Sequence, residues 1–341
     1  MIEQAEEHIR GQRVFVTGAT GFIGGALTRR LHALGAEAIA LERTPGKGDA
    51  LRAAGVTVVR GDITDHARMG AILAEHHPQI VMHIAAWLSG KPLSNYQRVN
   101  VEATANLAEA ANAHGVERFV YTSSIMVYDG HGDKDVTEAT PIHEYGDPYG
   151  DSKIRSEREL HAIRPEAVIL RPGMVYGPES RGWTVRIIKW AKAGRVPLVD
   201  GGRGSAYPVY VGNLVDMLLL AATHEAAPGE VFNAVDDGPV SLGEYLGAYM
   251  AMVPTERALR LPGWLVSAGA AVLDPFLPAY NYRSLVNQMR GRGLVLNNKI
   301  ARKLGWLQRV SLTEGLKRSE AWLREQGYLG EKHEDLPLSG S

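Results

Sequence analysis

The run Val14-Phe15-Val16 leads directly into Thr17-Gly18-Ala19-Thr20-Gly21-Phe22-Ile23-Gly24, and a segment with helical spacing follows. Glycines at 18, 21 and 24 restrict the fold more than any other feature of the chain. A residue without Cβ lets the backbone turn sharply and lets its amides approach an anion closely. The positive end of the following helix then faces that anion. Gly18, Gly21 and Gly24, with Phe22 and Ile23 opening the helix, therefore predict a strand–turn–helix unit that holds a dinucleotide pyrophosphate. The first gap is one residue longer than in the general fingerprint.

The rest of the first half repeats that alternation. Strand-like runs fall at 13–17, 38–41, 56–60, 80–84, 118–122 and 167–170, with helical patterns at 22–34, 67–76, 96–114 and 152–163. Continuous apolar runs alternating with helices imply parallel strands buried on both faces. The expected class is α/β, a doubly wound parallel sheet (Rossmann), with a smaller C-terminal α/β substrate-binding region. Residues 1–172 read as mainly dinucleotide-binding. Residues 173–327 read as mainly substrate-binding, with some segments returning to the sheet, and 328–341 as a tail. In the second half a helix is expected at 213–223, a strand at 230–233, an apolar segment at 261–273, and a capping box at Ser311-Leu312-Thr313-Glu314.

Composition narrows the chemistry. A net charge of −1 over 341 residues gives no global pull toward nucleic acid or anionic lipid. The absence of cysteine excludes disulfides, thiolate catalysis and cysteine-ligated zinc, and it is compatible with a reducing cytoplasm, the expected location. No metal motif such as HExxH is present. Residues 1–12 lack an apolar core and read as no signal peptide. The apolar stretch between Arg260 and Asp274 is much shorter than the ~20 residues of a spanning helix, so no membrane span is expected. A role for it at a membrane surface stays open.

Tyr149 and Lys153 lie four apart in a segment that reads as helical from Pro148, so both side chains share one face. A free phenol near pKa ~10 is a poor acid–base group at neutral pH. An ammonium about 4 Å away contributes on the order of 4 kcal/mol at an effective dielectric of 20, nominally about three pKa units. Lys153 is therefore expected to bring Tyr149 toward working pH. Ser124 closes the fifth strand, at the sheet edge where ligands bind, and is placed to orient the oxygen that exchanges a proton with Tyr149. A second Tyr-x-x-x-Lys spacing, Tyr328 to Lys332, lies in the tail and reads as chance. His83, inside an apolar strand, reads as a satisfied core histidine.

About 20 residues past the turn a carboxylate is expected for the ribose hydroxyls, and Glu42 fills that place. It favours NAD, whereas Arg43 beside it leaves NADP open through a 2′-phosphate.

These residues resemble the extended short-chain dehydrogenase/reductase superfamily of NAD-dependent epimerase/dehydratase type, over nearly the whole chain to about Gly327. Thr17–Gly24 is similar to its glycine turn, Tyr149 to Lys153 to its tyrosine–lysine element, and Ser124 to its catalytic serine. The resemblance implies that Asp62 and Ile63 contact adenine and that Ala85 and Ala86 pass beside the cofactor. It also implies a structural role for Asn100 and places Pro172 and Val175 near the nicotinamide amide. A homodimer through 96–114 and 152–163 is implied as well. Members acting on nucleotide sugars commonly carry Asn where this chain has Met174 and Arg where it has Ala206. These departures argue against a charged nucleotide-diphosphate substrate, and the stretches 209–216 and 261–273 instead resemble the 3β-hydroxysteroid dehydrogenase and dihydroflavonol reductase-like branch. Trp87 and Leu88 would give an apolar, aromatic pocket wall. The expectation is a Ser124–Tyr149–Lys153 oxidoreductase moving hydride between NAD and a secondary alcohol or carbonyl of an uncharged small molecule. The alternatives are a nucleotide-sugar epimerase or dehydratase with tightly bound NAD, and a non-catalytic dinucleotide-binding protein.

Overall fold

A computed structural model describes residues 1–88, 90–128, 132–254, 257–273 and 282–330. Six strands lie in the first half: β1 (Arg13–Thr17), β2 (Glu37–Glu42), β3 (Thr57–Arg60), β4 (Ile80–His83), β5 (Arg118–Thr122) and β6 (Val168–Pro172). With Val231–Ala234 at one edge they form a seven-stranded sheet in the order Val231–Ala234, β6, β5, β4, β1, β2, β3. Every pairing in it is parallel.

Successive residues of each strand enter different cores. Val14 and Val16 pack with Leu27, Leu31, Leu214 and Leu218 on one face. Phe15, between them, packs with Met69, Ile72, Leu73 and Leu107 on the other. A strand alternates its side chains across the sheet, so a strand covered on both faces must be apolar throughout. Helices Phe22–Ala33 and Val211–Thr223 cover one face; His66–His76 and Ala103–Ala113 cover the other. The expected doubly wound sheet is present.

Strand order reverses at β1, whose neighbours are β4 and β2, and this opens a crevice at the carboxyl ends of the strands. Thr17 pins the two rims of that crevice. Its Oγ1 accepts from the amides of Ile84 (3.1 Å) and Ala85 (3.2 Å) and shares a hydrogen bond with His83 Nδ1 at 2.7 Å. His83 Nε2 meets Thr104 Oγ1 at 2.9 Å, so the ring is fully satisfied. Burial, and then the Lys153 charge, press its pKa down to about 3. His83 is a neutral core residue.

The segment expected as one helix over 96–114 has two windings. Tyr96–Glu102 is π-helical and Ala103–Ala113 is α-helical. A wider turn frees a backbone carbonyl, and the Asn100 carbonyl accepts instead from Thr104 Oγ1 (2.6 Å) and Ser156 Oγ (2.7 Å). The expected capping box at Ser311 is half formed: Ser311 accepts from the Glu314 amide, at the start of Leu312–Glu325. The complete box lies at Ser241 and Glu244, opening Leu242–Met250. Lys332 and residues 331–341 lie outside the described residues. Among the described residues no helix is long and apolar enough to cross a membrane.

Candidate active site

At one end of the crevice the backbone does the positioning. Gly18 adopts φ +69°, and a Cβ there would stand 2.9 Å from the Ala85 amide nitrogen. At Gly24 a Cβ would stand 2.2 Å from the Gly18 carbonyl oxygen. The Gly21 amide donates to the Gly18 carbonyl at 2.9 Å, closing the turn. Gly21 caps Phe22–Ala33 without a side-chain bond, so the first helical amides keep their donors for a ligand. This cradle, which side chains would fill, fits a pyrophosphate.

Further along the crevice the carboxylate of Glu42 is buried. It accepts from the Gly48 amide at 2.7 Å and from Arg52 Nη2 at 3.3 Å. The Gly48 bond is the main reason its pKa lies below the usual carboxylate range. Arg43 is exposed. The cation beside Glu42 is Arg52, which the sequence reading did not single out; one turn of helix Asp49–Ala53 brings it there. Asp62 Oδ1 accepts from the Thr64 amide (2.9 Å) and hydroxyl (2.8 Å), and Ile63 is buried beside it. Ala85, Ala86 and Trp87 are half-buried, and Leu88 is exposed. Asn100 holds this segment: its Oδ1 accepts from the Trp87 amide at 2.7 Å, and its Nδ2 donates to the Trp87 carbonyl (3.0 Å) and Ser152 Oγ (2.9 Å). One amide side chain thereby ties the Trp87 loop to the helix that carries Tyr149 and Lys153.

That helix is Pro148–Ile163. Asp147 caps it by accepting from the Gly150 amide at 2.8 Å, and Pro148 occupies its first turn, where a missing N–H costs nothing. Lys153 is 1% exposed. Its Nζ donates to the Thr122 carbonyl at 2.8 Å and the Tyr121 hydroxyl at 3.1 Å, both on β5. It stands 4.6 Å from the Tyr121 ring centroid and 6.0 Å from that of Tyr149. Ser124, on the same strand end, is buried, and its Oγ accepts from the Met126 amide at 3.2 Å. Thr122 Oγ1 is buried and has no hydrogen-bond partner among the described residues.

Burial pushes the Tyr149 phenol up to about 12, with the Ser124 side chain pulling against it. Burial also brings Lys153 down to about 7, with Glu157 opposing. In the protein alone desolvation outweighs the attraction of the ammonium for a phenolate. Tyr149 is therefore a protonated acid at neutral pH.

Behind these residues lies a network that sequence reasoning missed. Glu157 is one helical turn beyond Lys153. It accepts from Ser123 Oγ at 2.5 Å and from Arg171 Nε and Nη2 at 3.0 and 2.5 Å. Arg171 also donates to the Tyr128 hydroxyl at 2.8 Å, and Tyr128 donates to Asn233 Oδ1 at 2.7 Å. The only sequence signal for it was Arg171, a lone charge inside the apolar run Val168-Ile169-Leu170; Glu157 sits among other charged residues and gives none. Pro172, Met174 and Val175 follow Arg171 and are buried. Met174–Tyr176 pairs with Pro208–Tyr210, while Ala206 pairs with Val240.

Comparison with known proteins places these features in a family. Residues 14–234 match the family model described as "NAD dependent epimerase/dehydratase family". The chain is 29% identical to a UDP-glucose 4-epimerase of Vibrio cholerae, covering 90% of this chain and 94% of that one. It is 26% identical to a 2-alkyl-3-oxoalkanoate reductase of Stenotrophomonas maltophilia, covering 91% and 96%. The solved structure of a UDP-glucuronic acid 4-epimerase from Bacillus cereus in complex with NAD superposes with a TM-score of 0.75. That likeness, at 21% identity over 93% of this chain and 100% of that one, shows the fold.

Proposed function

The chain belongs to the NAD-dependent epimerase/dehydratase family, an enzyme family that binds NAD, and from that premise we propose that it is a carbonyl reductase or alcohol dehydrogenase using Ser124, Tyr149 and Lys153. The observation that carries this reading is the meeting of a buried, protonated phenol, a serine hydroxyl and a buried ammonium at the carboxyl end of β5. When bound, NAD supplies or removes the hydride. In the reducing direction the carbonyl carbon gains hydride and its oxygen gains the Tyr149 proton. Ser124 hydrogen-bonds that oxygen and orients it. The phenolate left on Tyr149 is stabilised by Ser124 and by the Lys153 ammonium behind it.

Net reduction of an uncharged substrate is supported by two positions of the chain: Met174 stands where nucleotide-sugar enzymes commonly place Asn and Ala206 where they commonly place Arg, and both are buried. The relative named as a 2-alkyl-3-oxoalkanoate reductase supports an aliphatic carbonyl substrate. A second reading, epimerisation of a nucleotide sugar, draws on the relative named as a UDP-glucose 4-epimerase. The two differ in stoichiometry. We expect NADH to be consumed mole for mole with apolar ketones and UDP-glucose to leave NADH unchanged. Turnover of UDP-glucose to its epimer without net NADH consumption would reject the reductase in favour of the epimerase.

A further inference from the structure

Helix Gly263–Leu273 has an apolar stripe exposed along its length. Trp264 is 71% exposed, Leu265 49% and Val272 65%. Ala268 and Gly269, also exposed, lie between them on the same face, since positions i, i+1, i+4, i+5 and i+8 fall within one arc of an α-helix. Leu259, just before the helix, adds another exposed apolar side chain. A water-facing stripe without one polar residue marks an interaction surface. Its eleven residues extend about 16 Å, half of a bilayer's ~30 Å hydrocarbon core, so it is too short to cross one.

Cations border this helix. Arg260 precedes it by three residues and lines one groove with Arg203 and Arg292. Arg290 lies across the helix, donating to Ser267 Oγ at 3.3 Å and to Asp200 Oδ2 at 2.8 Å. Among the described residues, Asp200 pairs with Arg290 and the Gly263 amide, Glu244 accepts from the Ser241 amide and hydroxyl, Asp133 accepts from the Arg292 amide and Asp135 from the Leu294 amide. Arg203, Arg260 and Arg292 are exposed, and in the groove they line they stand three against the single carboxylate of Glu244. Apolar residues edged by arginine complement a surface that is apolar below a layer of anionic headgroups.

We propose that this face docks on an anionic phospholipid membrane, with Trp264, Leu265 and Val272 entering the headgroup–acyl boundary and Arg203, Arg260 and Arg292 meeting the phosphates. Docking stands apart from the hydride-transfer reading, because it requires neither cofactor nor turnover.

Flotation of the full-length protein with vesicles tests it. With vesicles of phosphatidylcholine and phosphatidylglycerol at low salt, the protein should partition roughly a hundredfold more strongly than with phosphatidylcholine alone, as three arginines near a charged surface imply. Added salt should weaken that preference. Trp264→Asp with Val272→Asp, both at exposed positions, should abolish flotation while leaving the far-UV circular dichroism unchanged. Arg203→Ala, Arg260→Ala and Arg292→Ala together should remove the preference for anionic vesicles. The proposal is overturned if the wild-type protein stays with the soluble fraction on mixed vesicles, or if the aspartate variant floats as well as wild type. It is equally overturned if the aspartate substitutions change only the sedimenting mass, since a second copy of the chain would then cover the face.

Discussion

The two ends of the crevice are built in opposite ways. At the glycine turn the main chain makes the site: Gly18 and Gly24 let backbone segments approach to distances that a Cβ would forbid, and the donors are amides. At the Tyr149 end side chains make it, drawn from β5, β6, the π-helical turn and Pro148–Ile163, and held by buried hydrogen bonds. A main-chain site is fixed by local sterics and tolerates change around it. A side-chain site is fixed by long-range packing and fails when a distant partner is removed.

The largest expected effect lies behind the second site. Arg171→Leu leaves Glu157 buried and without its bidentate partner, which costs about 3–5 kcal/mol. Urea unfolding should record that loss, with the glycine turn unaltered in sequence. A change under 1 kcal/mol would show that the network behind Lys153 is incidental.

Gly24→Ala sharpens the contrast from the other end. Its Cβ would meet the Gly18 carbonyl oxygen at 2.2 Å, a backbone atom that cannot swing aside. Overpacking of this kind costs up to about 3 kcal/mol. Titration of NADH fluorescence should show affinity at least tenfold weaker, by the ~1.4 kcal/mol per decade relation. Unaltered affinity would mean that the turn does not hold the pyrophosphate.

This asymmetry explains what could be read from the sequence. Glycine spacing reports steric need within eight residues, and Tyr149 and Lys153 share a helix face whatever surrounds them, so both were legible. The Glu157–Arg171–Tyr128–Asn233 network was not. Its members are 14, 43 and 105 residues apart and meet only because β5, β6 and Val231–Ala234 are neighbours in the sheet. The π-helical turn at Tyr96 was also hidden, and the hydroxyl of Ser156 that bonds its Asn100 carbonyl comes from 56 residues away. Desolvation was hidden for a related reason: spacing shows proximity but not burial, and burial is the leading influence on both acidities in the protein alone.

The smallest predicted effect isolates that burial. Lys153 has a folded pKa near 7, below its ordinary value of 10.5. Between these values the unfolded chain binds the extra proton, so the wild-type protein gains stability as pH rises from 7 toward 10. Lys153→Met removes the titration. Its stability relative to wild type should therefore fall by roughly 2 kcal/mol between pH 7 and pH 9 in denaturant unfolding. A difference independent of pH would show that Lys153 is not desolvated.

The central claim is that Tyr149 gives the proton during hydride transfer, and Tyr149→Phe tests it most directly. In a stopped-flow single turnover with NADH bound and ketone added, the account predicts NADH affinity within a factor of about 3 of wild type and a hydride-transfer rate lower by at least a hundredfold, as loss of a general acid implies. Hydride transfer at the wild-type rate in that variant would contradict it.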